Sequence, residues 1–373
     1  MQSRLPIPPL MLTTGPVPAY PEVLEALGGP MIYDYHPAFQ DYYAEVVEKL
    51  RGAFRTGLAP VIMQGEAILG IEAAAAALIG KDDVVLNLVS GVYGKGFDLW
   101  AGRYGNEVVE LAVPFDEVID AAAVGKVLQR RPEINIVSVC HHETPSGTLN
   151  PLHEIGAVIA EHGAYLIVDA VSSFAGLDVH PDEVHADIFI TSPSKCLGST
   201  PGLSLLSVSA RAWKKIEANR DAPLGSFLSL LAWKDASEPG RTFPVTPSIS
   251  QIYGLDAALD RYFSEGPTNV WARHSQTALV MRDGLAQLGL SLWPKRESWS
   301  SSTTTAFRVP EEWSDIALRD RLLNDHGILL SLGRGDTAGK VLRVGHMGAS
   351  AEPEFARIVV SALNEILSNQ SPI

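Results

Sequence analysis

Cysteine is nearly absent from this chain: Cys140 and Cys196 are the only two among 373 residues. A disulfide framework is thereby excluded, and a reducing cytoplasm is the expected compartment. Long hydrophobic runs are missing as well. The opening MQSRLPIPPLMLTTGP is broken by Pro6, Pro8 and Pro9, so it offers no signal-peptide core, and no later run of about 18 apolar residues could span a membrane. Positive charge is scarce too. With 29 Lys and Arg against 43 Asp and Glu the net charge is −14, so a nucleic-acid partner, which needs a basic face to displace counterions, is not expected. Repeats and low-complexity tracts are lacking, and Ala73–Ala77 reads as a tightly packed helix rather than a linker.

What is plentiful is apolar side chain, 46% of the chain, enough to fill two closely packed domains. Between about residues 60 and 210 short apolar runs alternate with helical stretches, the pattern of βαβ units around a mainly parallel sheet flanked by helices. Strands are expected at 84–90, 107–113, 134–140, 164–170, 187–192 and 203–209. The intervening IEAAAAALIG, AAAVGKVLQRR and LHEIGAVIAEHG carry helical spacing and end near Gly or Arg. A long helical region follows, jointed at Gly266 and Pro267, and a smaller α/β unit closes the chain. The expected division is an N-terminal segment 1–20, a large domain 21–262 and a small C-terminal domain 263–373.

Ligands of open α/β sheets sit beyond the carboxyl ends of the strands, so the polar residues there carry the most information. Asp169 ends the strand AYLIV-D, Lys195 follows DIFITS-P-S, and the Gly-rich SGVYGKG at 90–96 follows VVLNLV. Taken singly, each has a plainer reading: a helix cap, a solvated lysine, a tight turn. Together they are the set that pyridoxal chemistry needs. A lysine supplies the amine for a Schiff base and then moves a proton; an Asp keeps the pyridine nitrogen protonated so that the ring acts as an electron sink; an aromatic stacks on the ring; an arginine grips the amino-acid carboxylate.

Through VDAVSSFAG and TSPSKCLGSTPGLS the chain resembles the class V aminotransferases of fold-type I, the group of the alanine-glyoxylate and serine aminotransferases. TTGPVPAYPEVLEAL is similar to that family's GPGP opening, GIEAAAAAL to its next helix and RVGHMG to its carboxylate-binding strand. The resemblance implies a homodimer or homotetramer with the site at a subunit interface. It also implies Lys195 as the Schiff-base lysine, Asp169 as partner of the pyridine nitrogen, Tyr93 as the stacking aromatic, Thr144 as the contact of the ring hydroxyl and Arg343 as the carboxylate clamp. Arg334, nine residues before Arg343, is either a second anion contact or a solvated loop arginine.

Two departures bear on the cofactor. Family members that hold pyridoxal 5′-phosphate have small hydroxylated residues opening the helix before EAA, whereas this chain has Glu66 in QGEAILGIEAA. A carboxylate there would face a phosphate dianion at about 4 kcal/mol for each charge pair at ~4 Å and an effective dielectric near 20. The family's phosphate-binding tyrosine, three residues before a threonine, is replaced by Phe243 before Thr246. Both changes favour unphosphorylated pyridoxal or pyridoxamine, whose 5′-hydroxyl can donate to a carboxylate.

The segments YDYHPAF, GEAILGIEAAAA, LVSGVYGKGF, SVCHHETPSG and VDAVSSF resemble the branch of the family that acts on such free vitamers. That resemblance implies the reaction of pyridoxamine with pyruvate to give pyridoxal and L-alanine, a step of vitamin B6 degradation with no separate pyridoxal 5′-phosphate. An ordinary phosphate-bound class V aminotransferase is the alternative. His141, His142 and Glu143 read as a ring-side loop rather than a metal site, because adjacent histidines at a strand end point apart. Tyr33, Tyr35 and His346 either line the pocket or pack; the sequence leaves both open.

Overall fold

Seven strands form the central sheet of the computed structural model, which describes residues 7–238 and 240–368; the outer ends of the N-terminal segment and of the C-terminal domain, 1–6 and 369–373, lie outside it, as does Pro239. Across the sheet the order is Val61–Gln64, Leu203–Val208, Ile188–Thr191, Tyr165–Asp169, Ile134–Cys140, Val84–Val89 and Glu107–Ala112. Only Leu203–Val208 runs antiparallel to its neighbours. The remaining pairings are parallel, as the alternating pattern predicts. The six expected strands are all present. Val61–Gln64, an edge strand of four residues, was not expected.

Central strands such as Val84–Val89 and Leu203–Val208 are buried along their whole length, so both faces are covered by helices and their apolar runs do not alternate. The helix Leu152–His162 lies so close to the turn 181–185 that a Cβ on Gly156 would stand 2.1 Å from the carbonyl oxygen of Val184. Glycine to alanine inside a helix ordinarily stabilises by about 1 kcal/mol. Here the clash with backbone should win, because overpacking costs about 1–3 kcal/mol. Gly156→Ala is therefore expected to lower the urea midpoint; a raised midpoint would mean that the helix can slide away from Val184.

A second sheet orders Leu10–Leu12, Ile328–Leu332, Val341–Gly345 and Thr304–Arg308. Leu10 pairs with Ile328 in parallel, so the N-terminal segment is an edge strand of the C-terminal unit. That pairing carries the following Thr13–Pro16 turn back over the carboxyl edge of the large sheet. The helices Ile249–Glu265 and Pro267–Gln287 meet at Gly266, as their sequence predicts. Along the second of them Val270 belongs to the main core, whereas Met281 and Leu285 belong to the small one. Passage between the cores thus occurs within one continuous helix. No helix among the described residues is long and apolar enough to cross a membrane.

Candidate active site

Parallel strands deliver their last residues to one edge, and at that edge Lys195, Asp169, Tyr93, Glu66, Ile71 and His142 line a single cavity. Asp169 is the terminal residue of its strand and accepts the N–H of Val171 at 2.9 Å. Burial raises its carboxyl to about 6, an effect opposed by that hydrogen bond and by the nearby Lys195. Lys195 lies in the turn after Ile188–Thr191, and its Nζ donates to the carbonyl of Thr14 at 2.5 Å. Burial holds this amine below the usual lysine range, and the guanidinium of Arg343 adds to the effect. The turn that brings Thr14 so near requires glycine beside it. A Cβ on Gly15, whose φ is +140°, would fall 1.9 Å from Lys195 Nζ.

Tyr93 sits in the short helical turn Val92–Gly96, which is anchored from beneath by a residue whose role the sequence did not reveal. Glu143 is fully buried, and its two carboxylate oxygens accept the N–H groups of Tyr93 at 3.0 Å and Gly94 at 2.6 Å. Burial pushes this carboxyl up to about 7 although both N–H groups pull it down. Two fixed bonds to successive amides set the backbone that carries the aromatic ring. The histidines beside it are also held: His141 Nδ1 meets Ser173 Oγ at 2.9 Å, and His142 Nδ1 meets Thr303 Oγ1 at 2.9 Å.

Glu66 is the N-cap of the helix Ala67–Leu78, its side chain accepting the N–H of Ile68 at 3.0 Å. The carboxylate therefore occupies the helix N-terminus, with the amide donors that an anion would use. Arg343 lies on the strand Val341–Gly345, is 8% exposed and does not line the cavity itself; it meets the site through Thr14, whose carbonyl holds Lys195. Its Nε and Nη2 donate to the carbonyl of Leu332 at 2.9 and 2.7 Å, and its Nη1 to Thr14 Oγ1 at 2.9 Å and to the carbonyl of Thr144 at 3.3 Å. All three acceptors of these four bonds are neutral, and no carboxylate among the described residues pairs with it. Burial, opposed by Tyr93 and helped by the nearby Arg334, lowers this guanidinium to about 10. Arg334 itself is exposed, at the rim of an adjoining cavity that Tyr93 and Asp169 also line.

Not every candidate lines the cavity: Thr144 is buried beside it and reaches the site through its carbonyl on Arg343. Phe243 is buried in an aromatic cluster, its ring 4.8 Å from that of Tyr43 and 5.8 Å from that of Phe39, while Thr246 is exposed. His346 packs with Nε2 on Thr305 Oγ1 at 2.8 Å and Nδ1 on the carbonyl of Ser302 at 2.9 Å. Tyr33 and Tyr35 stand exposed with their rings 5.3 Å apart.

The donor set fits a vitamin B6 ring: a buried amine of lowered basicity, an acid at the depth of the cavity, an aromatic on a braced turn and an arginine without a counter-charge. The comparisons agree with this chemistry. The family model for class-V aminotransferases matches residues 73–357. The chain is 54% identical to the pyridoxamine–pyruvate transaminase of Mesorhizobium japonicum, over 95% of this chain and 91% of that protein. It is 28% identical to the alanine–glyoxylate aminotransferase of Drosophila melanogaster, over 96% and 92%. In three dimensions it superimposes on pyridoxamine-pyruvate aminotransferase from Mesorhizobium loti with a TM-score of 0.96 at 52% identity, covering 98% of this chain and 93% of the other. Ureidoglycine-glyoxylate aminotransferase from Bacillus subtilis gives 0.93 at 28%, with 99% and 95% covered. A match of this extent in sequence and in fold places the chain in the class-V aminotransferase family.

Proposed function

We propose that this chain transfers the amino group of free pyridoxamine to pyruvate, giving pyridoxal and L-alanine, and that the unphosphorylated vitamer is a substrate rather than a resident cofactor. The observation that carries this reading is Glu66. A carboxylate caps the helix N-terminus on the same cavity as Lys195, where a phosphate would otherwise bind. The similarity to a pyridoxamine–pyruvate transaminase supports the reading. The same reading makes the reaction a step of vitamin B6 degradation.

Once bound, the pyridine ring supplies an electron sink. Asp169 holds the proton on the ring nitrogen, and that positive charge draws its raised carboxyl back toward the ionised state. Lys195, whose proton burial makes easier to lose, takes the proton from one carbon and returns it to the other, and Thr14 orients its amine. Arg343 fixes the keto-acid carboxylate with its guanidinium fork. Tyr93 packs on the ring face from the turn that Glu143 braces. Thr144 and Arg334 contact the ring hydroxyl and the incoming anion. A homodimer or homotetramer is the proposed assembly, supported by the exposed apolar Met31, Leu224 and Phe227; the exposed Thr246 would act across its interface, while Phe243 stays buried against Tyr43 and Phe39. Two buried, unpaired cysteines support a cytoplasmic location.

Glu66→Ser tests the proposal because serine also caps helices, so the charge changes while the cap remains. A hydrogen bond to a charged acceptor is worth about 1.5–3 kcal/mol, so pyridoxal binding should weaken about ten-fold or more. Pyridoxal 5′-phosphate binding should improve, though incompletely, because Phe243 still lacks a hydroxyl. Dissociation constants of both vitamers at fixed pH and salt decide it. If the two move together, or the unaltered protein prefers the phosphate form, an ordinary phosphate-bound aminotransferase is the correct reading.

A further inference from the structure

Ser204, on the strand Leu203–Val208, is fully buried, with its hydroxyl against the start of the helix Ala67–Leu78. Its single hydrogen is shared between the carbonyl oxygens of Gly65 at 3.0 Å and Glu66 at 2.9 Å, and its oxygen accepts the N–H of Gly70 at 3.0 Å. Gly202 on the same side adds a fourth tie, its carbonyl accepting the N–H of Gly65 at 2.8 Å. The close approach depends on glycine: a Cβ on Gly70 would stand 2.7 Å from Ser204 Cβ. Gly65 turns the chain from the strand Val61–Gln64 into the helix at a φ of +147°, a value open to few residues other than glycine. A swivel of this kind has no side chain to limit it. The neighbouring strand limits it instead.

Glu66 needs that restraint. It is exposed, and the hydrogen bond its carboxylate accepts comes from Ile68, two residues along the same helix. The carboxylate is therefore placed by its own backbone, and that backbone by Ser204. We propose that Ser204 is a positioning residue for vitamer selection: by fixing the turn at Gly65 and Glu66 it sets the Glu66 carboxylate where a 5′-hydroxyl can donate to it. This role rests on the proposed function of Glu66 and separates its two effects. A hydrogen bond is lost once donor and acceptor move from ~2.8 Å to beyond about 3.5 Å. Charge repulsion fades slowly, and a move from ~4 to ~5 Å weakens it by only about a fifth. A displaced carboxylate therefore stops recognising the hydroxyl while it goes on repelling a phosphate.

Dissociation constants for pyridoxamine, 5-deoxypyridoxamine and pyridoxamine 5′-phosphate are measured by fluorescence titration, at fixed pH and salt, on the unaltered protein, Ser204→Ala and Ser204→Cys. The unaltered protein should prefer pyridoxamine over the 5-deoxy analogue at least about ten-fold, the effect of one hydrogen bond to a carboxylate. Ser204→Ala should cut that preference to about three-fold or less, yet still bind the phosphate at least about ten-fold more weakly than the 5-deoxy analogue. Ser204→Cys, whose thiol is a weaker donor, should fall between the two. A full preference for pyridoxamine in the alanine variant, or in the cysteine variant should alanine not fold, overturns the inference. So does a phosphate form that binds either variant as well as the 5-deoxy analogue does, because the charge as a whole would then have left the site. An unaltered protein that ignores the 5′-hydroxyl, or favours the phosphate, refutes the proposed function of Glu66 instead.

Discussion

Lys195→Ala should slow amino transfer by at least about four powers of ten, because one side chain serves both as the covalent anchor and as the proton carrier. The protein should fold at least as well without it. A buried amine held below its normal basicity is a cost to the folded state, so its removal relieves rather than creates strain. Activity lost with stability kept separates a chemical role from a structural one. Borohydride reduction in the presence of pyridoxal should label the unaltered protein at Lys195 alone. Lys95 is tied to Asp98 and Glu110, which raise its basicity, Lys81 is an exposed lysine 3.6 Å from Asp221, and neither amine lines the cavity where the ring would sit. A label on either of them would sink the assignment.

The difference between what the sequence made visible and what it hid follows from range. The βαβ core is written in local patterns, apolar runs of strand length separated by helical spacing, and those patterns survive without knowledge of partners. Val61–Gln64 has only four residues and becomes a strand because Leu203–Leu206 lies alongside. Leu10–Leu12 is shorter still, and its partners at 328–330 lie at the other end of the chain. The helix Pro37–Phe54 went unread although its signals are local. His36 caps it, proline opens it, and Phe39, Tyr43, Val46, Leu50 and Phe54 form its buried stripe.

The site divides in the same way. Lys195 and Asp169 were legible because they end or follow strands whose direction fixes where their side chains arrive. Glu143 and His142 were visible as polar residues beside a strand end, but their tasks depend on what they meet. Glu143 meets two amide donors some fifty residues earlier, and His142 meets Ser172 and Thr303. Thr14 is harder still. It becomes a site residue only because the Leu10–Leu12 strand joins the small sheet and turns its carbonyl toward Lys195.

Arg343→Lys is expected to weaken pyruvate and alanine far more than pyridoxamine. The unaltered guanidinium is buried, charged and surrounded by neutral acceptors, so an incoming carboxylate supplies the counter-charge that the fold withholds. Its planar fork can hold two carboxylate oxygens once at least one of the four bonds to Leu332, Thr14 and Thr144 is exchanged for the ligand, and an ammonium group cannot reproduce that geometry. Charge-assisted hydrogen bonds are worth about 1.5–3 kcal/mol each, and lysine should retain one of the two. A loss of about 2–3 kcal/mol follows, roughly 30- to 150-fold in KM for the keto acid. Binding of pyridoxamine, which has no carboxylate, should change by less than about three-fold on the same bookkeeping. Steady-state KM for pyruvate and a titration with pyridoxamine on both proteins give the comparison. If pyridoxamine weakens as much as pyruvate, Arg343 holds the Thr13–Pro16 turn and the strand around Leu332 in place, and the carboxylate is gripped elsewhere, with Arg334 at the rim the next residue to replace.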